Sequence, residues 1–455
     1  MFLLYFRFFF NWIVVVSETR RLPFFDRAYL VLIFLVSVVV LVATFFLPLI
    51  FTIVLVNFFI LFALVLFFIL YLEFRGEGKA KYLKEYPPIS IVIPVYNSKN
   101  TIKKCLDAVI SLEYPARKEI IVVDDCSTDG SREIVEAYKG IKFIKLKQNS
   151  GKAVAANNGL SEASCDFVAC IDSDTYPERD TLIKIMGYFS DPKVGAVTCL
   201  ILPDKKNSFI QRVQFFEYIA GFGLWNTLVS AINSMSMVPG PMTVFRKKFF
   251  NESGGYDDGN LTEDMEVGLR LQKYGYRIKT CFEATAYTDT PDTLKKLFKQ
   301  RDRWYRGRVF NLMFHKSLFF NKKNKDLGFF ALPYFFALEI VAVIMLLRVI
   351  FLLIDNFSKF IMIEAQVVAL SNSIGLFLNE FIIPSSVFFF ICSYVFVLCF
   401  IYLSLDLVNY KPRGWDYLAI LINIVFYPFF VSLVYFQSFL KEMLGVKGKW
   451  VRVSI

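Results

Sequence analysis

Histidine is almost missing from this chain: among 455 residues there is one, His315. That scarcity argues against a metal site built on imidazoles and against a Ser-His-Asp hydrolytic triad, so any metal must be held mainly by oxygen ligands. The lone histidine reads as a membrane-interface residue. Charge is scarce as well. Only 20% of residues are charged, 56% are hydrophobic, 52 are Phe, and the mean hydropathy is +0.50, a balance that argues against an ordinary soluble enzyme. The eight cysteines include no C-x-x-C pair, and Cys392 and Cys399 fall in an apolar run. Neither a zinc site nor a disulfide framework is indicated, and they read as reduced packing residues. Residues 1–16 are apolar but lack a basic start and a small-residue cleavage site, so they do not read as a cleaved secretory signal. Arg7 and Asn11 interrupt this stretch, which suits an interfacial helix better than a span.

What is abundant comes in blocks. Nearly uncharged runs cover residues 29–72, 327–354, 382–405 and 417–440. A crossing needs ~20 apolar residues, so the first block holds two, turned at Pro48. Arg20, Arg21 and Arg27 precede it and Arg75, Lys79, Lys81 and Lys84 follow it, which places both ends, and the domain between the blocks, in the cytoplasm. Lys441, Lys447, Lys449 and Arg452 ask the tail to stay inside too, so three C-terminal spans leave the parity wrong. A fourth crossing within 360–381 would repair it, although Glu364, Asn372 and Asn379 make that segment marginal. Five or six spans are expected in all. The resulting organisation is an interfacial segment (1–28), a transmembrane hairpin (29–72), a cytoplasmic domain (73–305), an interfacial helix (306–326), three or four C-terminal transmembrane helices (327–440) and a tail (441–455). The net charge of +11 reads as juxtamembrane Lys and Arg meeting anionic lipid, with attraction of nucleotide and phosphate as the sharper alternative; no nucleic-acid partner is expected.

The middle domain alternates β-branched runs with helical patterns. Strands are expected at 89–95, 119–123, 142–146 and 167–171, and helices at 101–112, 131–138 and 153–163. Such βαβ units imply a mostly parallel sheet covered by helices, with ligands outside the carboxyl ends of the strands. Those ends carry Pro94 and Tyr96, Asp124 and Asp125, and Asp172 and Asp174. Asp129 reads equally as a turn or cap residue. Asp172-Ser173-Asp174 is harder to explain structurally, because two acids closing a buried strand repel unless a cation or hydrogen-bond donors compensate. Mg²⁺ or Mn²⁺ bridging to a diphosphate is the simplest compensation. Thr262-Glu263-Asp264 opens an apparent helix, 265–274, and reads either as a helix N-terminus or as a base for an acceptor hydroxyl. Gln300-Arg301-Asp302-Arg303-Trp304 reads either as a headgroup anchor or as a cation and aromatic ring suited to a leaving diphosphate and a sugar.

In this order and spacing, residues 89–304 resemble the family 2 inverting glycosyltransferases of the GT-A fold, in particular the membrane-integrated β-polysaccharide synthases such as poly-N-acetylglucosamine, hyaluronan and cellulose synthases. The resemblance implies a Rossmann-like α/β domain inserted between transmembrane helices. It implies that Pro94, Tyr96, Asp124 and Asp125 hold the nucleotide, with Lys152 of Asn149-Ser150-Gly151-Lys152 and Asp172 beside them. It also implies that Asp174 with Asp172 takes Mg²⁺ or Mn²⁺, that Asp264 beside Glu263 is the catalytic base, and that Gln300, Arg303 and Trp304 face the acceptor and the diphosphate. Gln214 to Tyr218 and Gly240 to Arg246 also look like poly-N-acetylglucosamine synthases, whereas no cyclic-nucleotide module follows the spans. The expected donor is a nucleotide-sugar, UDP-linked by resemblance, and the expected acceptor a glycan or lipid-linked species at the bilayer; no partner subunit is specified. Single addition to a polyprenyl-phosphate is the rival enzyme reading, separated by product length. A transporter is the rival from another class, suggested by Glu339 and Arg348 in one apolar block.

Overall fold

The structure, a computed structural model, describes residues 77–324, 326–369 and 397–446 together with scattered positions between 26 and 39. The expected interfacial segment at 1–28, almost all of the transmembrane hairpin at 29–72 and the end of the tail lie outside the described residues.

The domain begins with three βα steps: β1 (Ile89–Val95), α1 (Ile102–Ile110), β2 (Lys118–Asp124), α2 (Ser131–Glu136), β3 (Lys142–Lys145) and α3 (Lys152–Glu162). Next come β4 (Phe167–Ile171), β5 (Thr175–Pro177), α4 (Thr181–Met186), β6 (Val194–Pro203), α5 (Phe209–Tyr218) and α6 (Asn226–Ala231), then β7 (Met242–Arg246), α7 (Lys247–Ser253), α8 (Glu263–Lys273), β8 (Arg277–Thr288) and α9 (Leu294–Phe314). They build one eight-stranded sheet in the order β3-β2-β1-β4-β7-β6-β8-β5. Four of its seven pairings are parallel (β1 with β2 and β4, β2 with β3, β6 with β8) and three antiparallel. The parallel half β3-β2-β1-β4 is the part expected from the βαβ rhythm, whereas the β6–β8 pairing is not. β7 and β5 run against the other strands: β5 follows β4 after only three residues, too few for a crossover, and β7 lies antiparallel between β4 and β6.

Strand alternation explains the layers. Ile91 and Ile93 of β1 pack with Ile102, Leu106 and Val109 of α1, while Val92 between them packs with Ala155 and Leu160 of α3. Both faces are covered, so the β1 run is apolar apart from the buried Ser90 rather than alternating. Because β1, β2 and β4 point the same way, Val95, Asp124 and Ile171 end at one edge, and the loops that follow open into a single cleft.

A third apolar cluster joins this domain to α10 (Leu332–Ala369) and α13 (Tyr427–Met443), while α11 (Val397–Leu407) and α12 (Trp415–Val425) place Ile401, Leu405 and Ala419 in the first cluster, with β1 and α1. The third cluster includes Met265 and Leu269 of α8, Val309 and Phe310 of α9, Leu332, and Tyr435 and Phe439 of α13. Each large apolar side chain fully buried there contributes about 1.5–3 kcal/mol.

Within the described residues one helical stretch, Asp326–Arg348, is long and apolar enough to cross a membrane. The block expected to be one span at 417–440 comprises α12 and α13, which together are long and apolar enough for one crossing and bend by 44° between them. Pro428, which has no backbone N–H to continue the ladder, sits in the first turn of α13 at this bend. α10 runs through to Ala369, so the first part of the marginal crossing at 360–381 continues that helix; the rest lies outside the described residues. α9 passes without a break through the boundary placed at 305/306. His315 at its end is buried, with Nε2 3.2 Å from Glu266 Oε1, and so packs inside the protein rather than standing at a membrane surface.

Candidate active site

The cleft is lined by Pro94, Tyr96, Asp125, Lys152, Asp172, Asp174, Glu263, Asp264, Gln300, Arg303 and Trp304, every expected site residue except Asp124. Its remaining walls include Asn149, Tyr218, Gly240, Thr288 and Asp289.

Asp124 and Asp125 close β2 and therefore point to opposite sides. Asp125 reaches the cleft, where its carboxylate accepts from the backbone N–H of Ser150 at 2.7 Å and of Gly151 at 2.8 Å. Burial nevertheless raises its pKa above the ordinary carboxylate value, against the pull of those two donors. Asp124 turns away from the cleft, fully buried. It accepts from Arg132 Nη2 at 2.6 Å and from the Ser127 N–H at 3.2 Å, so its geometry supports the loop instead of offering a nucleotide contact. Asp129 accepts from Lys99 N–H at 2.9 Å and Ser131 N–H at 3.0 Å, the turn role left open above.

Lys152, at the start of α3, is the hub. Its Nζ lies 2.8 Å from Asp172 Oδ1 and 2.9 Å from Glu263 Oε1, tying the end of β4 to the start of α8. Burial disfavours the ammonium, but Asp172, Glu263 and Asp264 outweigh it and hold the lysine above its ordinary pKa. Burial would likewise raise Glu263, yet Lys152 and Arg303 keep it below the carboxylate norm. Asp264 goes the other way: burial first, and then the Glu263 charge, push it up to about 6. The two neighbouring acids are thus driven apart by one cation that touches only Glu263.

Gly240 explains how these groups meet. A Cβ there would lie 3.2 Å from Lys152 Nζ, 3.4 Å from Asp172 Oδ2 and 3.5 Å from Asp264 Oδ2, so the polar atoms of three distant segments converge where a side chain would intrude.

The last wall is α9. Gln300, Arg303 and Trp304 share its cleft face, and Gly307 and Asn311 continue that face at helical spacing. Gly307 lets Thr262 approach to where a Cβ would sit 2.1 Å from its Oγ1. Asn311, fully buried, donates to Thr262 O at 3.1 Å and pairs with Asn260. Gly307, Asn311 and Asn260 therefore fix the loop that carries Glu263 and Asp264. The sequence reading missed them, although the 303/307/311 spacing is a usable signal.

Asp172 and Asp174 present only carboxylate oxygen, and among the described residues no group of three or more His, Cys, Asp or Glu could by itself hold a metal ion. The donor set fits a hard divalent cation whose shell is completed by phosphate oxygens and water, and does not fit a closed structural site.

Residues 90–254 match the glycosyl transferase family 2 model. They are a family 2 glycosyltransferase domain, here folded as GT-A. Over 223 residues the chain is 35% identical to the poly-β-1,6-N-acetyl-D-glucosamine synthase of Staphylococcus epidermidis, covering 48% of this chain and 54% of that one. For the same-named protein of Staphylococcus aureus (strain MSSA476) the figures are 36% over 230 residues, 49% and 55%. The match thus spans about half the length of these curated relatives. Among solved structures, mannosyltransferase PcManGT from Pyrobaculum calidifontis in complex with GDP-Man and Mn²⁺ superposes with a TM-score of 0.53 at 18% identity, over 82% of this chain and 98% of that one, a likeness of fold.

Proposed function

We propose that the protein is a membrane-bound inverting glycosyltransferase that uses a nucleotide-sugar, UDP-N-acetylglucosamine by analogy with its relatives, to extend a β-linked polysaccharide on the cytoplasmic side. The observation that carries this reading is the convergence of Asp264, Lys152, Asp172, Arg303 and Trp304 on one cleft at the carboxyl edge of the sheet.

Pro94, Tyr96 and Asp125 line the donor end and would hold the base and ribose, while Asp124 keeps the loop in shape. Lys152 and Arg303 face the diphosphate. Asp172 and Asp174 would hold Mg²⁺ or Mn²⁺, which when bound supplies positive charge to the departing diphosphate. Asp264, with its raised pKa, is suited to take a proton from the acceptor hydroxyl. As that O–H breaks, the oxygen bonds to the anomeric carbon from the face opposite the nucleotide. The carbon–phosphate-oxygen bond breaks, its electron pair leaves with the diphosphate, and configuration inverts. Glu263, kept ionised by Lys152, orients that lysine instead of exchanging a proton. Gln300 and Trp304 would receive the acceptor sugar.

The membrane part of the reading rests on the apolar stretch Asp326–Arg348 and the basic flanks of the first block. The transporter reading loses its motive for Glu339, whose carboxylate pairs with Arg308 of α9. The test is turnover by nanodisc-held protein with UDP-N-acetylglucosamine and Mn²⁺ or Mg²⁺, with products sized. A polymer ladder is the expected result; a single added sugar would promote lipid-linked single addition, and failure to transfer from any nucleotide-sugar to any glycan would overturn the reading.

A further inference from the structure

Arg301 is the largest fully buried side chain of the described protein, in the middle of the QRDRW segment but on the face of α9 turned away from the cleft. Burying a guanidinium is costly unless it is paired and hydrogen-bonded. Here three segments satisfy it. Its Nη2 donates to Glu217 Oε2 of α5 at 2.6 Å, its Nε donates to the Tyr427 hydroxyl of α13 at 3.1 Å, and Nη1 donates to Gln300 Oε1. The Tyr427 hydroxyl donates onward to the same Glu217 oxygen at 2.7 Å, closing a ring of contacts. The guanidinium carbon also lies 4.2 Å from the centroid of the Trp304 ring, while Trp304 lines the cleft.

None of these groups but Gln300 and Trp304 touches the cleft. We infer that Arg301 is a positioning residue that sets the Trp304 indole and the Gln300 amide as the acceptor platform, and that Glu217 and Tyr427 hold it there, so that the first turn of α13 is part of the acceptor site's support. The acceptor role of Trp304 in this statement rests on the proposed function; the positioning of Trp304 does not. Two features favour a positioning device over simple stability. The ring of contacts joins α5, whose last residue Tyr218 also lines the cleft, to α9 and α13. In addition, the neighbouring positions fasten α9 to the same helix, with Lys441 Nζ 2.9 Å from Asp302 and Arg306 Nε 2.6 Å from Glu442, so Arg301 is not needed merely to keep the helices together.

The experiment uses the full chain in nanodiscs labelled with 5-fluorotryptophan, the Trp304 resonance being assigned by its loss in Trp304→Phe. Transfer to a β-1,6-linked N-acetylglucosamine oligosaccharide is measured alongside hydrolysis of UDP-N-acetylglucosamine without acceptor. In Tyr427→Phe, the mildest change, the Trp304 resonance is expected to shift or broaden. The acceptor KM should rise roughly two- to tenfold, the scale of one lost hydrogen bond, with donor KM and hydrolysis unchanged. Arg301→Lys should fall between wild type and Arg301→Met, because it keeps the charge opposite Glu217 but not the planar fork. An unmoved Trp304 resonance in both Tyr427→Phe and Arg301→Lys overturns the inference, as does an equal fall in hydrolysis and transfer. Should Arg301→Met not fold, Tyr427→Phe decides. If Trp304→Phe leaves the acceptor KM alone, or wild type transfers nothing, the acceptor reading falls while the resonance still decides the positioning.

Discussion

Asp125, on one wall of the cleft, is held by backbone N–H groups from a loop 25 and 26 residues downstream, whereas Arg303 and Trp304, on the other, stand on a helix fastened to partners 126 to 139 residues away. The wall proposed to hold the donor is a product of the βαβ repeat. Its strands, turns and helix starts bring their own partners, as in the Asp124 to Arg132 pair eight residues apart. The wall proposed to hold the acceptor draws most of its support from farther along the chain. α9 is positioned by Asn260 and Thr262 beneath it, by Glu217 from α5, and by Lys441 and Glu442 from α13. Under the proposed function, a site built this way would keep nucleotide binding constant while its acceptor side is altered through the C-terminal helices.

The largest test of that contrast falls between the walls. Asp264→Asn should lower turnover by about 10²–10⁴-fold while donor affinity, read by titration, stays near wild type. Wild-type turnover would remove Asp264 as the base. Arg303→Met should cost about 10²–10³-fold in kcat for transfer, with kinetics of diphosphate release as the readout. On the donor wall, Arg132→Ala leaves the buried Asp124 carboxylate without its cation and should destabilise the domain by about 1–3 kcal/mol in denaturant melts. Acceptor KM should not change; if it did, the two walls would not be separable. The pH profile is a subtler probe. In the proposed role as base Asp264 acts as a carboxylate, so with its pKa raised to about 6 activity should be present above that pH and fall by about tenfold per unit below it. An acid limb near the ordinary aspartate value of about 4 would show that burial and Glu263 do not govern the base. The smallest effect is expected for Lys441→Met, which breaks a partly exposed pair with Asp302 and should change stability by about 0–1 kcal/mol without altering donor KM.

The parallel half of the sheet was legible because short β-branched runs alternating with capped helical patterns leave few ways to fold, and the observed strands Ile89–Val95 and Phe167–Ile171 fall where the pattern places them. The antiparallel β7 and β5 were not, since strand direction depends on how a connection crosses the sheet and not on the strand's own residues. His315 was misjudged for a related reason. Apolarity and a single polar residue do not tell whether a helix meets lipid or packs on another part of the same chain, as α13 does on α9.

The residue types of the candidate site and their order along the chain were determined by the sequence alone, because acids at strand ends, a lysine at a helix start and an arginine beside a tryptophan are local patterns. Which of each pair faces the cleft was decided only by the tertiary structure. Asp125 faces in and Asp124 out because they straddle a strand end, and Arg303 and Trp304 face in and Arg301 out because helix pitch divides them. The pKa contrast between Glu263 and Asp264 also appears only in three dimensions, where Lys152 from α3 pairs directly with Glu263 while burial and the Glu263 charge raise Asp264. Electrostatic interaction depends on distance through space and on exclusion of water, and neither is a property of neighbouring letters in a sequence.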